Sequence, residues 1–305
     1  MIKKGVSMVE KDKINSDSME NTRRHMERNR FIRVFFARKE VIFGAIIILI
    51  FLILAIFAPL IAPYSPYSQD LERTLLQPSW EHLLGTDALG RDTLSRIIYG
   101  AQTSLLIGIV VIALASLSGM TLGLVAGYFG GWINLIIMRL IDALMSFPMI
   151  ILALIIAVLL GGGLTIVMIA LGIGLLPVYA RLMCAQVLVA KQQDYVIAGR
   201  VIGANPLRIM LLHILPNSFA QILVLMTMMM GMAILAEAGL SFLGLGIAPP
   251  GAAWGAMVAD GYRYVFTHPV LCFAPGLAIM LVVFSFNMVG DGLRDALDPR
   301  LRGIV

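Results

Sequence analysis

Residues 194 to 216 read Asp-Tyr-Val-Ile-Ala-Gly-Arg-Val-Ile-Gly-Ala-Asn-Pro-Leu-Arg-Ile-Met-Leu-Leu-His-Ile-Leu-Pro and lie between two apolar segments, each long enough to cross a bilayer. With Lys191, Gln192, Gln193, Asp194, Arg200, Asn205 and Arg208, this stretch is too polar to face lipid, so it belongs at or beyond a membrane surface. Its local chemistry predicts two helices with a break. Asp194 is placed to cap the first, and Tyr195, Gly199 and Gly203 recur every four residues on one face, a ring followed by a groove. A residue before proline disfavours helical geometry, so the first helix should stop at Asn205. A second then starts with Asn205 as cap and Pro206 in its first turn. Leu215-Pro216 is expected to end it before the next span, which begins near Ser218.

Outward from this stretch, the 305-residue chain is 59% hydrophobic and only 13% charged, with a mean hydropathy of +0.91. That composition excludes a soluble globular domain and predicts an all-α integral membrane protein. Six spans are expected: about 41–62, 104–127, one running from after Trp132 to Leu160, 164–187, one from 218, and 271–289. Gly119, Gly123 and Gly127, four apart, should let a neighbouring helix approach closely. Pro148 can kink the third span, and Arg139 and Asp142, three apart, read as a mutual ion pair. Glu237, near the outer end of the fifth span, is expected to reach the outer interface.

Charge sets the orientation. Of 23 Lys and Arg, 11 precede residue 41, which predicts a cytoplasmic N-terminus. Four crossings then return the chain to the cytoplasm at residues 194 to 216, and a sixth leaves Arg294, Arg300 and Arg302 inside. The expected organisation is a polar tail and interfacial helix over 1–40, with Phe31, Phe35 and Phe36 among arginines. A first span and outer loop over 41–103 follow, then a membrane core over 104–291 and a cytoplasmic tail over 292–305. A basic run followed at once by a span does not suit nucleic acid.

The outer loop holds Leu84-Gly85-Thr86-Asp87-Ala88-Leu89-Gly90-Arg91-Asp92-Thr93-Leu94-Ser95-Arg96. Asp87, Arg91 and Asp92 can form a local ion network, with turns at Gly85 and Gly90. Two roles suit it: a cap over the outer mouth, or a contact for a delivering protein.

Enzymatic signatures are missing. No Gly-x-x-x-x-Gly-Lys-Ser/Thr loop, His-Glu-x-x-His helix or Gly-x-Ser-x-Gly elbow occurs. His25, His82, His213 and His268 are scattered, Cys184 and Cys272 lie in apolar runs, and the Met226 to Met232 cluster reads as adaptable core filling. No catalytic or metal-binding set is expected.

Ala198, Gly203, Leu215 and Pro216 resemble the cytoplasmic loop of ABC importer permeases, with Ile197, Gly199 and His213 standing where that family has Glu, Ala and Ile. The outer motif closely resembles the second permease subunit of the dipeptide, oligopeptide and nickel branch, as do Ser146-Phe147-Pro148, 240–246 and 290–300. Many relatives carry Glu where Ala253 precedes Trp254. The resemblance implies a six-helix type-1 importer (MetI-like) fold in a bacterial inner membrane. It implies a coupling helix carrying Asp194, Tyr195, Ala198, Gly199, Arg200, Gly203 and Ala204, completed by Leu215 and Pro216, and a periplasmic motif of Gly85, Thr86, Asp87, Gly90, Arg91, Asp92 and Arg96. The implied partners are a paralogous permease forming a heterodimeric pore, two cytoplasmic ATPases that bind ATP and Mg, and an external solute-binding protein. Peptides are the leading cargo and nickel the alternative. Alternating access would work through rocking, with Gly199 and Gly203 permitting close docking, so that Gly203→Asp abolishes transport. From another class, an ion-driven transporter would need an acid near the midplane, for which Glu237 is the one loose candidate.

Overall fold

The computed structural model describes residues 33–247 and 250–297. The tail over 1–24, most of the expected interfacial helix and residues 298–305 lie outside them. Every described element is helical, apart from one isolated bridge between Thr86 and Asp92.

Five helices have the length and apolarity of membrane spans: Lys39–Ile56 (α1), Thr93–Phe129 (α2), Leu164–Ala190 (α5), Pro206–Phe242 (α7) and Val270–Leu297 (α9). Between α2 and α5, Gly131–Met145 (α3) and Met149–Leu160 (α4) meet at 88°, and together they count as a sixth, broken span. The break falls on Ser146-Phe147-Pro148, so the kink expected at Pro148 is a near right angle. Two shorter helices matter for the ends of the bundle, Asp194–Val201 (α6) and Trp254–Tyr262 (α8); single turns at Ala58–Ile61 and Leu71–Arg73 follow α1.

The second span is longer than its apolar run suggests. α2 starts at Thr93 because Asp92 accepts from the Ser95 amide at 2.8 Å, an N-cap that sequence hydrophobicity does not register. It then packs along α5 through its small residues. A Cβ on Gly123 would sit 2.3 Å from the Ala180 carbonyl oxygen, and one on Gly119 would sit 2.6 Å from that of Leu176. The expected close helix approach is therefore present, and it organises the main core around Ile107, Val111, Leu171, Tyr179 and Met183. A smaller core gathers Phe51, Leu105, Trp254 and Val282.

Three expectations are corrected. Leu215-Pro216 does not end a helix: α7 runs unbroken through it, because residues Ile209–Ile214 widen into a π turn. Proline has no N–H for an i−4 carbonyl, and a wider turn upstream accommodates that loss without stopping the helix. Asp142 pairs with Arg181 of α5 at 2.5 Å and not with Arg139. Glu237 does not reach the interface. It is 1% exposed, accepts from Ser241 Oγ at 2.6 Å, and its second oxygen has no partner among the described residues.

Contacts sort the connections into two ends. Arg38 meets Asp295 at 2.7 Å, and Lys191 reaches the backbone of Gly127 and Tyr128, so the start of α1, the end of α2, the α5–α6 junction and the end of α9 share one end. At the other, Gly163 donates to Leu245 and Gln77 to the Thr267 carbonyl, which joins the 63–92 loop, the 161–163 turn and the 243–269 segment.

Candidate functional site

At the first end, α6 is docked by its inward face and open on its outward one. Val196 and Gly199 are buried, with Gly199 against Ile209 of the π turn. Ile197 is 47% exposed, and Val201 and Ile202 are each 82% exposed. Three large apolar side chains facing water on one short helix form a surface that a partner would desolvate. Tyr195, Asp194, Ala198 and Arg200 are exposed beside them.

Gly203 has a different task from the one its spacing suggests. Its φ is +76°, it follows the end of α6, and a Cβ there would meet nothing within 4 Å. Its amide donates to the Arg200 carbonyl, and that of Ala204 donates to Gly199, the paired bonds of a Schellman stop. Gly199 and Gly203 therefore form no common docking groove: one packs inward and the other ends the helix. Asp194 is likewise not the cap. Gln193 holds that position without a side-chain bond, and Asp194 puts its charge in the first turn, where the helix dipole favours it. Asn205 does cap the next helix, accepting from the Leu207 amide at 3.0 Å with Pro206 behind it, as expected.

α6 is fastened to the end of α2. Lys191 Nζ donates to the carbonyl oxygens of Gly127 at 3.1 Å and Tyr128 at 2.9 Å, satisfying groups that a helix C-terminus leaves open. Arg200 lies over the Tyr128 ring, 5.2 Å from its centroid. Nothing in the spacing of Lys191 and Tyr128 announces this pairing.

At the opposite end, the Gly85–Arg96 motif is almost wholly internal. Asp87 holds Arg91 through Nε at 2.6 Å and approaches Arg96 Nε at 3.6 Å; both arginine side chains are nearly buried. Asp92 lies outside this network. It caps α2 and accepts from His82 Nδ1 at 2.9 Å, making His82 a buried structural partner. Thr86 Oγ1 accepts from Leu76 and bonds the Arg73 carbonyl, which closes the 73–86 loop. Gly90 is required twice: its φ is +71°, and a Cβ would overlap the Asp70 carbonyl at 1.8 Å. Arg96 donates to the Pro66 carbonyl of this loop and to the carbonyls of Pro250 and Gly251, which ties the loop to the 243–269 segment. Trp254 is fully buried and donates to the Ile97 carbonyl at 2.9 Å. The motif's contacts are made within its own loop and with the 243–269 segment.

Among the described residues no group of three or more His, Cys, Asp or Glu is arranged to hold a metal. What the geometry defines is a membrane-spanning helical bundle with an apolar, chain-fastened helix at one end and a buttressed loop at the other.

Residues 119–303 match the family described as binding-protein-dependent transport system inner membrane component, and residues 29–78 match the N-terminal transmembrane domain of oligopeptide transport permease C. The dipeptide transport system permease protein DppC of Alkalihalophilus pseudofirmus is 44% identical over 264 residues, 87% of each chain. The glutathione transport system permease protein GsiD of Pectobacterium atrosepticum is 41% identical, covering 89% of this chain and 91% of its own. The di/tripeptide permease protein DppC of Pseudomonas aeruginosa is 42% identical, covering 89% and 92%. Among solved structures, an inward-facing form of the MetNI methionine ABC transporter has a chain of the same fold, with a TM-score of 0.51 and 18% identity over 67% of this chain and 97% of that one. The chain belongs to the inner membrane component family of binding-protein-dependent transport systems. It is a multi-pass permease subunit of an ABC importer, the class in which ATP hydrolysis resides in separate subunits.

Proposed function

We propose that this chain is one half of a heterodimeric pore that imports di- and oligopeptides across a bacterial inner membrane. The partner half is a paralogous permease, two cytoplasmic ATPases bind ATP and Mg, and an extracytoplasmic binding protein delivers cargo. The cargo reading is supported by relatives named for dipeptide, di/tripeptide and glutathione transport at 41–44% identity. The 11 basic residues before position 41 support cytoplasmic termini, and with them an α6 on the side where ATP is found.

One observation carries the mechanism: α6 exposes Ile197, Val201 and Ile202 while its neighbours Lys191 and Arg200 grip the end of α2. The exposed face seats in a cleft of an ATPase, and burying each of these side chains contributes about 1.5–3 kcal/mol before association costs. When the ATPases close on ATP, α6 moves with them, and the grip passes the displacement to α2 and its packed partner α5, exchanging inner for outer access. Asp194, Tyr195 and Ala198 flank the docking face. Gly199, Gly203, Ala204, Leu215 and Pro216 shape the helix-stop-helix path that presents it.

The test is ATP-dependent uptake of a labelled dipeptide by the reconstituted importer, with nickel as the comparison solute. Val201→Asp with Ile202→Asp is expected to abolish uptake and release the ATPases from the membrane, without loss of the folded permease. Uptake at the unmodified rate would remove the coupling assignment, and uptake of nickel but not dipeptide would remove the cargo assignment.

A further inference from the structure

A cavity of about 470 Å³ opens at the outer end of the bundle, between the motif arginines, the 161–163 turn and α8. A smaller one of about 210 Å³ adjoins it, and Arg91, Arg96, Asp260 and Arg263 line both. Much of the remaining wall is backbone, from Gly161 to Gly163 and from Gly244 and Gly246.

The three guanidinium groups are not equivalent. Arg96 is saturated by Asp87 and three carbonyl groups, so it is structural. Arg91 is 4% exposed, yet only its Nε and backbone amide are taken, both by Asp87; its two terminal nitrogens have no acceptor among the described residues. Arg263, at the C-terminal boundary of α8, has no hydrogen bond or ion pair among them either, and Asp260, one turn earlier, makes none and acts on Arg96 through its charge alone. Counting Asp87 and Asp260 against the three arginines leaves the wall with one net positive charge. The terminal nitrogens of Arg91 are not among the fully enclosed unpaired atoms, so they open onto the cavity, and a planar fork of donors at a cavity wall matches a carboxylate.

We infer that Arg91 and Arg263 form a carboxylate subsite at the outer mouth, which receives the C-terminal carboxylate of a peptide as it leaves the binding protein. This deepens the peptide reading and rests on it. Asp260 supplies the opposite charge a short distance along the same wall, which suits a solute carrying both signs. The rest of the wall is mostly glycine backbone and apolar side chains, among them Phe242 and Leu245, which bring no further charge to the solute. The same chemistry could instead receive an acidic side chain of the binding protein, and the experiment separates the two.

The complete importer is placed in liposomes and supplied with saturating binding protein loaded with either a dipeptide or its C-terminal amide, both above their dissociation constants. Arg263→Gln is expected to slow import of the free acid by about tenfold, the scale of a lost charge-assisted hydrogen bond, while the amide, already slow in the unmodified importer, slows no further. Arg263→Lys should recover part of the loss. Equal loss for acid and amide, with a raised binding-protein concentration for half-maximal ATP hydrolysis, would assign Arg263 to the delivering protein and overturn the proposal; no loss for either would overturn it as well. An unmodified importer that hydrolyses ATP in response to the binding protein yet moves neither compound would refute the peptide reading and this subsite with it, and that arm needs no variant.

Discussion

The guanidinium of Arg200 rests over the ring of Tyr128, 5.2 Å from its centroid, across the junction between α6 and the end of α2. Beside it, Lys191 spans the same junction with two bonds to backbone carbonyls. A half-exposed cation–π contact contributes about 0.5–1 kcal/mol, whereas hydrogen bonds from a charged donor contribute roughly 1.5–3 kcal/mol. Lys191→Met should therefore lower the number of solute molecules moved per ATP more than Arg200→Ala does, and the double variant should be worse than either. Simultaneous measurement of uptake and hydrolysis in liposomes checks the order. Equal, unaltered stoichiometry in all three would show that the junction transmits nothing.

Gly203 is governed by its backbone and not by its surroundings. A docking groove would make Gly203→Asp abolish transport. A left-handed stop with open space around it instead ranks substitutions by their tolerance of positive φ. Asn and Asp should be the mildest, and Ala and Val should cost about 1–2 kcal/mol of local helix-stop stability. Uptake rates for the four variants should fall in that order, and a Gly203→Asp importer less active than Gly203→Val would contradict the stop.

In the outer motif, removing Asp87 leaves two nearly buried arginines without their carboxylate. Breaking a buried pair from one side costs roughly 3–5 kcal/mol, so Asp87→Ala should give little folded permease. Asp92→Ala, which loses a helix cap and the His82 contact, should cost about 1–2 kcal/mol and remain purifiable. Thermal unfolding in detergent, with yield as a second reading, distinguishes the two.

Close packing of α2 on α5 makes Gly123 intolerant. A methyl group 2.3 Å from the Ala180 carbonyl must push the helices apart, at a cost of about 1–3 kcal/mol for Gly123→Ala. Gly276→Ala in α9, where a Cβ would meet nothing within 4 Å, should be neutral or slightly stabilising. The paired unfolding temperatures form an internal control.

Glu237 offers a check on the energy source. Glu237→Gln keeps an acceptor for Ser241 and nearly the same shape. ATP-driven uptake should stay within about twofold of the unmodified rate, since one hydrogen bond is retained. Loss of uptake in that variant, with ATP hydrolysis intact, would point to the carboxyl as an ion-coupling group.

The sequence exposed the fold through quantities that are local: apolar length gave the spans, glycine spacing gave the α2–α5 approach, and Asn205-Pro206 gave the second helix of the 194–216 stretch. Contacts between distant residues were hidden. Arg181 competes with Arg139 for Asp142 only after α3 and α5 are side by side, and His82 finds Asp92 only once the loop closes. Gly203 was read by period where its backbone angle decides, and Pro216 by its rule for ordinary helices where a π turn intervenes. The outward face of α6 was legible in principle, because Asp194, Ile197, Ala198 and Val201 follow helical spacing, but the missing side chains of the glycines drew the reading to the wrong side.

α2 is 37 residues long, so at 1.5 Å per residue it extends for about 55 Å, well beyond a hydrocarbon core of about 30 Å. It contains no proline, and its first residue stands on the Asp92 cap while its last carbonyls are held by Lys191. Such a strut is one uninterrupted helix from cap to clasp. Under the proposed mechanism, a displacement at one end of α2 would be carried to the other within a single element, so the two mouths of the bundle would move in step.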